Sequence, residues 1–211
     1  MKKLMLAMMA FGFVFGAAQA ASLMWQTGAN DLPDNKVIVD GSGGAALRDV
    51  SFSIAINVTG TVAAETNLAH FGYWGGDGYL RVNTSNELFY RASNWSPDVE
   101  QPTLTEGKHV ITVNFDASDS SNMTVSVYVD GKLYASFGEG GKRGLYAWVY
   151  DNAAWDIIDT AAYEGLLTQD EIDSLVANGS SVLTTEGVPE PTALALLALG
   201  VAGVALRRRV A

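Results

Sequence analysis

The sequence predicts an all-β protein, folded as a two-sheet antiparallel sandwich with one short helix late in the chain. Two observations predict it. Apolar and polar residues alternate along many short segments that turn residues separate, a pattern typical of half-buried antiparallel strands. Only one segment, near residue 170, has helical spacing instead. Many short strands with a single small helix favour a sandwich over an α/β fold.

Three segments alternate most clearly, at residues 51–58, 111–115 and 123–129. Phe52, Ile111 and Val127 belong to the rows predicted to face the core. The opposite rows, with Ser51 and Thr112, are predicted to face water. Further strands are predicted at residues 37–39, 79–82, 88–91 and 145–150.

Local signals define one hairpin and the helix. Asp130-Gly131 stands between alternating apolar residues, and such a pair favours a tight hairpin because both turn positions need a positive φ. Thr168 and Glu171 form a capping-box pattern, and Asn178-Gly179 predicts the end of that helix.

The N-terminus is typical of a cleavable signal peptide. Two lysines precede an apolar run at residues 4–15, and Ala18-Gln19-Ala20 then supplies the small-x-small pattern of a signal peptidase site. The alternative, a membrane helix, is disfavoured because the run has about 12 residues against the roughly 20 that span a bilayer. We therefore expect cleavage between Ala20 and Ala21, which makes residues 1–20 the signal peptide.

The C-terminus has a box, an apolar run and a basic cluster in that order. The box is Val188-Pro189-Glu190-Pro191, the run covers residues 192–206, and the cluster is Arg207-Arg208-Arg209. As a helix, about 15 residues would span about 22 Å, short of the roughly 30 Å hydrocarbon core. The cluster favours the cytoplasmic side, which leaves the sandwich outside. A marginal transmembrane helix suits a sorting segment that is removed; a simple single-span anchor is the alternative.

Between these ends, residues 21–187 are predicted to form one compact domain. It has eight basic and 22 acidic side chains, a net charge of −14. An acidic domain repels nucleic acid, so nucleic-acid binding is excluded. The chain has no cysteine, which excludes disulfides, a thiol nucleophile and thiolate metal sites.

Three motifs of the domain resemble the LamG-like and concanavalin A-like jelly-roll domains, in the order of that family. Residues 125–134, VSVYVDGKLY, resemble its hairpin, and residues 106–116 resemble the strand that leads into it. Residues 155–159 and 162–172 resemble its closing strand and helix, although the usual aromatic before His109 is absent. The resemblance covers about residues 50–179 and implies a jelly roll of about a dozen strands.

The tail resembles the PEP-CTERM type in all three of its parts. That resemblance implies a Gram-negative bacterium and an exosortase-type sorting enzyme as partner. It also implies export, transient residence in the inner membrane, and a final location at the cell surface or in the extracellular matrix.

Catalytic and cofactor motifs are not supported by their context. Glu171-Ile172-Asp173 has part of the E-x-D-x-x-E box of jelly-roll hydrolases, but Val176 replaces the last Glu and the segment is helical. Residues 41–46 fit G-x-G-x-x-A without room for the helix that a dinucleotide site needs. His70 and His109 lack metal-ligand spacing, and His109 is interpreted as a hydrogen-bonded structural residue. We therefore expect no enzyme activity and no required cofactor.

Aromatic residues in the stretch 71–95 are the candidate binding site, since sugars stack on exposed aromatic faces and bind Asn and Asp through their hydroxyls. The alternative is that most of these rings fill the core. Five residues are the ligand-binding candidates: Trp74, Asp77, Tyr79, Asn94 and Trp95. Asp77 and the loop at residues 116–122 are a second hypothesis, as oxygen ligands for Ca²⁺.

The leading functional hypothesis is a non-catalytic surface or matrix protein whose jelly roll binds polysaccharide. A structural or protein-binding adhesion module is the runner-up, and a glycoside hydrolase is the third. Fold resemblance alone favours the first, and fold does not determine function.

Overall fold

The computed structural model describes residues 21–41, 47–74, 76–92, 102–119, 121–140 and 143–179. Within them, eleven strands and one helix form two antiparallel sheets. The strands are β1 (Ser22–Gly28), β2 (Lys36–Val39), β3 (Val50–Val58), β4 (Thr66–Trp74), β5 (Gly76–Val82), β6 (Leu88–Ala92), β7 (Gly107–Asp116), β8 (Asn122–Val129), β9 (Lys132–Gly140), β10 (Arg143–Val149) and β11 (Trp155–Glu164), and the helix is α1 (Gln169–Asn178).

Six strands form one sheet in the order β1-β11-β3-β7-β8-β9, and five form the other in the order β2-β10-β4-β5-β6. Three fully buried phenylalanines join the two sheets. Phe71 of β4 packs edge-on against Phe52 of β3 and Phe115 of β7, each with ring centroids 5.2 Å apart. Edge-to-face pairs at this spacing stabilise a core beyond the area they bury. The predicted two-sheet sandwich is confirmed.

The predicted hairpin and helix are both confirmed. Asp130 and Gly131 have φ values of 50° and 83°, as a tight turn with two left-handed positions requires. Thr168 caps α1, and its side chain and that of Glu171 form the reciprocal capping box. The helix ends at Asn178 before Gly179, whose φ is 81°.

The outer face of the larger sheet differs from the prediction. Ser51 and Thr112, expected to face water, are buried, as is Asn114. Helix α1 covers this face and adds a second apolar layer with Ala55, Val110, Ala161, Tyr163, Leu167, Ile172 and Leu175. A polar network joins part of this layer: Ser51 Oγ donates to Asn114 Oδ1 at 2.7 Å, and Asn114 Nδ2 donates to the Leu167 carbonyl at 2.9 Å. The hydroxyls of Thr112 and Tyr163 are buried without a hydrogen-bond partner among the described residues.

Three strands were missed by the alternation, namely β1, β4 and β11. β4 and β11 are buried on both faces over much of their length, so their apolar residues run together instead of alternating. The signal peptide, the segment at residues 42–46 and the sorting tail lie outside the described residues. Within the described part of the chain, no helix is long and apolar enough to cross a membrane.

Candidate functional site

Four side chains stand in register across the outer face of the five-stranded sheet. Trp148 of β10 pairs with His70 of β4, His70 with Tyr79 of β5, and Tyr79 with Arg91 of β6. Directly paired residues on one face of a sheet lie close enough for their side chains to interact. Their alternation with buried neighbours such as Ala69, Phe71 and Leu80 turns this row away from the core.

Three of these side chains form a continuous stack. The rings of Trp148 and His70 have centroids 4.6 Å apart with planes 15° from parallel, and those of His70 and Tyr79 are 4.5 Å apart at 7°. One face of the Tyr79 ring is therefore covered by His70. The other face is directed away from β4, toward the side on which β6 lies.

Gly72 makes room for this stack. A Cβ atom at Gly72 would lie 2.6 Å from one carbon of the Trp148 ring and 2.8 Å from another, closer than any side chain could approach. The indole thus lies across the backbone of β4, in space that only glycine leaves free. We conclude that glycine at position 72 allows the Trp148 ring to lie over β4.

Asp77 lies beside the polar ends of two of the rings and accepts a hydrogen bond from one of them. The hydroxyl of Tyr79 donates to Asp77 Oδ2 at 3.3 Å, and burial, followed by the Asp77 charge, raises the pKa of that hydroxyl. His70 Nε2 lies 3.3 Å from Asp77 Oδ1, but its geometry does not meet that of a hydrogen bond. Tyr79 is therefore a neutral donor with a fixed ring orientation.

A cleft of about 290 Å³ lies beside Tyr79, lined by Asn67, Tyr79, Arg81 and Arg91. This volume is at the small end of the roughly 300–1,000 Å³ of ligand pockets. Arg81 Nη1 pairs with Glu65 at 2.7 Å, while its buried Nε has no hydrogen-bond partner among the described residues. The cleft thus combines one ring face, one amide and two guanidinium groups.

The structure describes two of the five candidate residues in full. It places Tyr79 and Asp77 together on the outer face. Trp74 is the last residue of β4, but its side chain lies outside the described residues, as do Asn94 and Trp95 altogether. Other rings of the same stretch fill the core, as the alternative interpretation expected: Phe71 and Tyr90 are buried.

Sequence reasoning missed His70, Trp148, Asn67, Arg81 and Arg91 as parts of the site. Trp148 is far from residues 71–95 in the chain and reaches the stack only because β10 pairs with β4. The position of these residues in the alternation of their strands could have predicted that they face outward. The pairing of the strands, which brings them together, could not be predicted from the sequence.

The other residues considered from the sequence for catalysis or metal binding have structural roles. His109 is hydrogen-bonded at both ring nitrogens, as interpreted from the sequence. Asp116 and Asp119 accept hydrogen bonds from the backbone of their own loop, and among the described residues no three His, Asp or Glu side chains cluster as metal ligands would. Glu171 and Asp173 lie on α1, not on a strand.

Together, these observations define an antiparallel β-sandwich protein with an aromatic stack on the outer face of its five-stranded sheet. Its chain ends in a sorting segment: residues 187–209 match the PEP-CTERM protein-sorting motif. A motif of this kind directs an exported protein through the membrane to the cell surface with an exosortase as the sorting enzyme. A comparison with curated protein sequences finds no match.

Solved structures resemble part of this chain at low sequence identity. A mutant Trypanosoma rangeli sialidase displaying trans-sialidase activity matches with a TM-score of 0.50 at 14% identity, over 66% of this chain and 24% of its own. The same sialidase in complex with the inhibitor DANA matches at 0.49 and 15%, over 65% and 24%. A botulinum neurotoxin type C structure matches with a TM-score of 0.43 at 13% identity, over 63% of this chain and 36% of its own. The chain thus spans only about a quarter of the sialidase chains. The likeness to the mutant sialidase, at a TM-score of 0.50, supports the β-sandwich fold alone.

Proposed function

We propose that this is a non-catalytic protein of the bacterial surface or exopolysaccharide matrix, whose jelly-roll sandwich binds carbohydrate. The observation that carries the proposal is the Tyr79 ring, backed by His70 and Trp148 and bordered by a cleft with polar groups. A saccharide offers an apolar face of C–H groups and a rim of hydroxyls. A fixed aromatic face with donors beside it matches both.

Trp74, Asn94 and Trp95 are proposed as further contacts of the same ligand. β4 ends at Trp74 and β6 ends at Ala92. Both strands finish at the same end of the sheet, because the first residues of β5 pair with the last residues of each: Gly76 with Tyr73, and Gly78 with Ala92. A polysaccharide that lies on Tyr79 could therefore extend along this end of the sheet.

The test is affinity electrophoresis of the mature protein through gels that contain different polysaccharides. Replacing Tyr79 with Ala removes the platform and should weaken binding roughly five- to 150-fold, by analogy with bases stacked on aromatic side chains. Tyr134→Ala, on the other sheet, is the matched control and should bind normally. Thermal unfolding of each variant separates loss of the site from loss of the fold.

Full affinity in a folded Tyr79→Ala variant would show that the platform is not the binding site. If no polysaccharide retards the wild-type protein, the carbohydrate proposal fails. The adhesion-module hypothesis would then take its place.

A further inference from the structure

We propose that the cleft beside Tyr79 selects saccharides that carry carboxylate groups, and that Arg91 binds the carboxylate. This inference rests on the proposed carbohydrate-binding function and names the chemical class of its ligand. It follows from where the few basic side chains of this acidic domain lie.

The domain at residues 21–187 has only eight basic side chains against 22 acidic ones. Two of the eight, Arg81 and Arg91, line the same small cleft. Because the domain as a whole repels anions, a local pair of guanidinium groups is needed before any anionic ligand can bind. Such a pair is present beside the aromatic platform.

Arg91 is the group available to a ligand. Its side chain is exposed, it stands in register with Tyr79, and none of the ion pairs between described residues includes it. The planar guanidinium group offers two parallel N–H donors that match the two oxygens of a carboxylate.

Arg81 has a supporting part in the cleft. Glu65 neutralises its charge through the 2.7 Å contact with Nη1, so Arg81 adds little net attraction. Its Nε is buried without a hydrogen-bond partner among the described residues, while Arg81 and Asn67 both line the cleft with side chains that can donate hydrogen bonds. Asp77 is engaged with the hydroxyl of Tyr79, which orients that ring. Arg81 and Arg91 together balance the charges of Glu65 and Asp77, so the attraction for a carboxylate depends on Arg91, which has no ion-pair partner among the described residues.

The geometry of a uronic-acid residue fits this arrangement. Its ring would stack on the free face of Tyr79, and its carboxylate would extend toward Arg91 on the neighbouring strand. Its hydroxyls would accept from Asn67 and Arg81. A neutral sugar could use the same ring face and donors but would leave Arg91 unpaired.

The experiment compares acidic polysaccharides with their neutral forms, using the mature protein. Polygalacturonate, alginate and hyaluronan are each paired with a carboxyl-reduced preparation of the same backbone. We expect each acidic polymer that binds to do so roughly tenfold or more tightly than its neutral form, since hydrogen bonds between charged groups are strong. The preference should shrink as salt is raised, because Arg91 is exposed.

Four variants assign the effect. Arg91→Gln should lose the preference for the acidic form while retaining the binding of the neutral form, and Arg91→Lys should restore part of it. Arg48→Gln makes the same change of charge at an exposed arginine that pairs with Glu164, away from the cleft, and should leave the preference intact. Tyr79→Ala should weaken the binding of both forms alike.

Equal binding of acidic and neutral forms by the wild-type protein overturns the inference and leaves the proposed function standing. An acid preference that survives in Arg91→Gln also overturns it. No binding of any polymer in either form contradicts the proposed function, and the inference fails with it.

Discussion

His109 Nδ1 lies 2.7 Å from Asp130 Oδ2, while His109 Nε2 lies 2.8 Å from the carbonyl oxygen of Thr105. Both partners are acceptors only, so both hydrogen bonds form together only when each ring nitrogen carries a proton. Protonated His109 is therefore an imidazolium held between two acceptors. Asp130 also accepts from the Val110 backbone N–H at 2.9 Å, which ties the β8–β9 turn to β7.

This contact predicts a pH-dependent stability. The hydrogen bond to Asp130 raises the pKa of His109 above its ordinary 6.5, against the opposing effect of burial. Burial would raise the pKa of Asp130, but hydrogen bonds from His109 and Val110 hold it below 3.8. The contribution of His109 is full below about pH 6.5 and is lost as the pH rises through its raised pKa. That of Asp130 is full above about pH 4 and is lost on further acidification.

We therefore expect Asp130→Asn to flatten the decline in stability above about pH 6.5, measured by chemical unfolding. Asn keeps an acceptor for Val110 and tolerates the positive φ of the turn, so the substitution removes mainly the charge. The cost near pH 6 should be about 1 kcal/mol, since the Asp130 side chain is 43% exposed and solvent screens the pair. The same decline in wild type and variant would show that His109 is not the titrating group.

The strand phase of β8 gives a second prediction. Val127 is 3% exposed between the sheets, whereas Tyr128 is half-buried against the layer under α1. Val127→Asp should unfold the domain, because a buried unpaired charge costs several kcal/mol, comparable with the whole stability. Tyr128→Asp should lower the melting temperature less, and equal melting temperatures would contradict this placement.

Much of the fold could be predicted from the sequence, because β8 alternates between buried and partly exposed residues and the turn after it has residues that favour its conformation. Val125, Val127 and Val129 alternate with partly exposed residues, and Asp130-Gly131 is chemically suited to its turn. The prediction was wrong at Ser51, Thr112 and Asn114, where α1 covers polar residues. Their burial depends on a helix far along the chain and on a hydrogen-bond network, which alternation alone cannot indicate.

The candidate site was readable only in part. Tyr79 and Asp77 are close in sequence, so their contact follows from local strand structure. Trp148 joins them through the pairing of β10 with β4, a long-range contact that a single sequence does not specify. The space for its ring depends in turn on Gly72, whose role is visible only once that pairing is known.

The sorting tail should be absent from the surface-located protein. Residues 187–209 match the sorting motif, so a host with the sorting enzyme should remove the segment that ends in Arg207-Arg208-Arg209. Intact-mass measurement of the surface protein checks this. Replacing Glu190 in the box with Ala should block removal, and retention of the arginines by the wild-type surface protein would instead support a permanent anchor.

The match between Gly72 and Trp148 makes Gly72→Ala a test of the aromatic stack that does not alter any ring. The new Cβ would lie 2.6 Å from the indole, so the ring must move. We expect a loss of about 1–3 kcal/mol, as for other overpacked sites, and a shift in tryptophan fluorescence. Gly138→Ala, in β9, is the control, since the atoms nearest to its Cβ would belong to the end of the Asn122 side chain, at 3.0 Å, which can move aside. An unchanged emission spectrum in Gly72→Ala would show that Trp148 does not lie over β4.

Removal of the predicted signal peptide would create a new N-terminus beside a carboxylate. The backbone nitrogen of Ala21 donates to Glu171 Oε1 at 3.2 Å, and Ala21 is buried beside Gly165. Cleavage after Ala20 would turn that amide into an ammonium group and the hydrogen bond into an ion pair with the capping residue of α1. The predicted cleavage site thus coincides with the place where a new positive charge has a carboxylate partner.

We expect the protein that begins at Ala21 to be more stable, by about 1 kcal/mol, than one that retains Gln19 and Ala20, because only the first has the ion pair. Glu171→Gln keeps an oxygen for the Thr168 backbone N–H but removes the charge, so it should abolish the difference between the two forms. Chemical unfolding of the four proteins as a double-mutant cycle measures the coupling directly. A coupling energy near zero would mean that Glu171 acts only as a helix cap and that the terminal charge adds nothing to the fold.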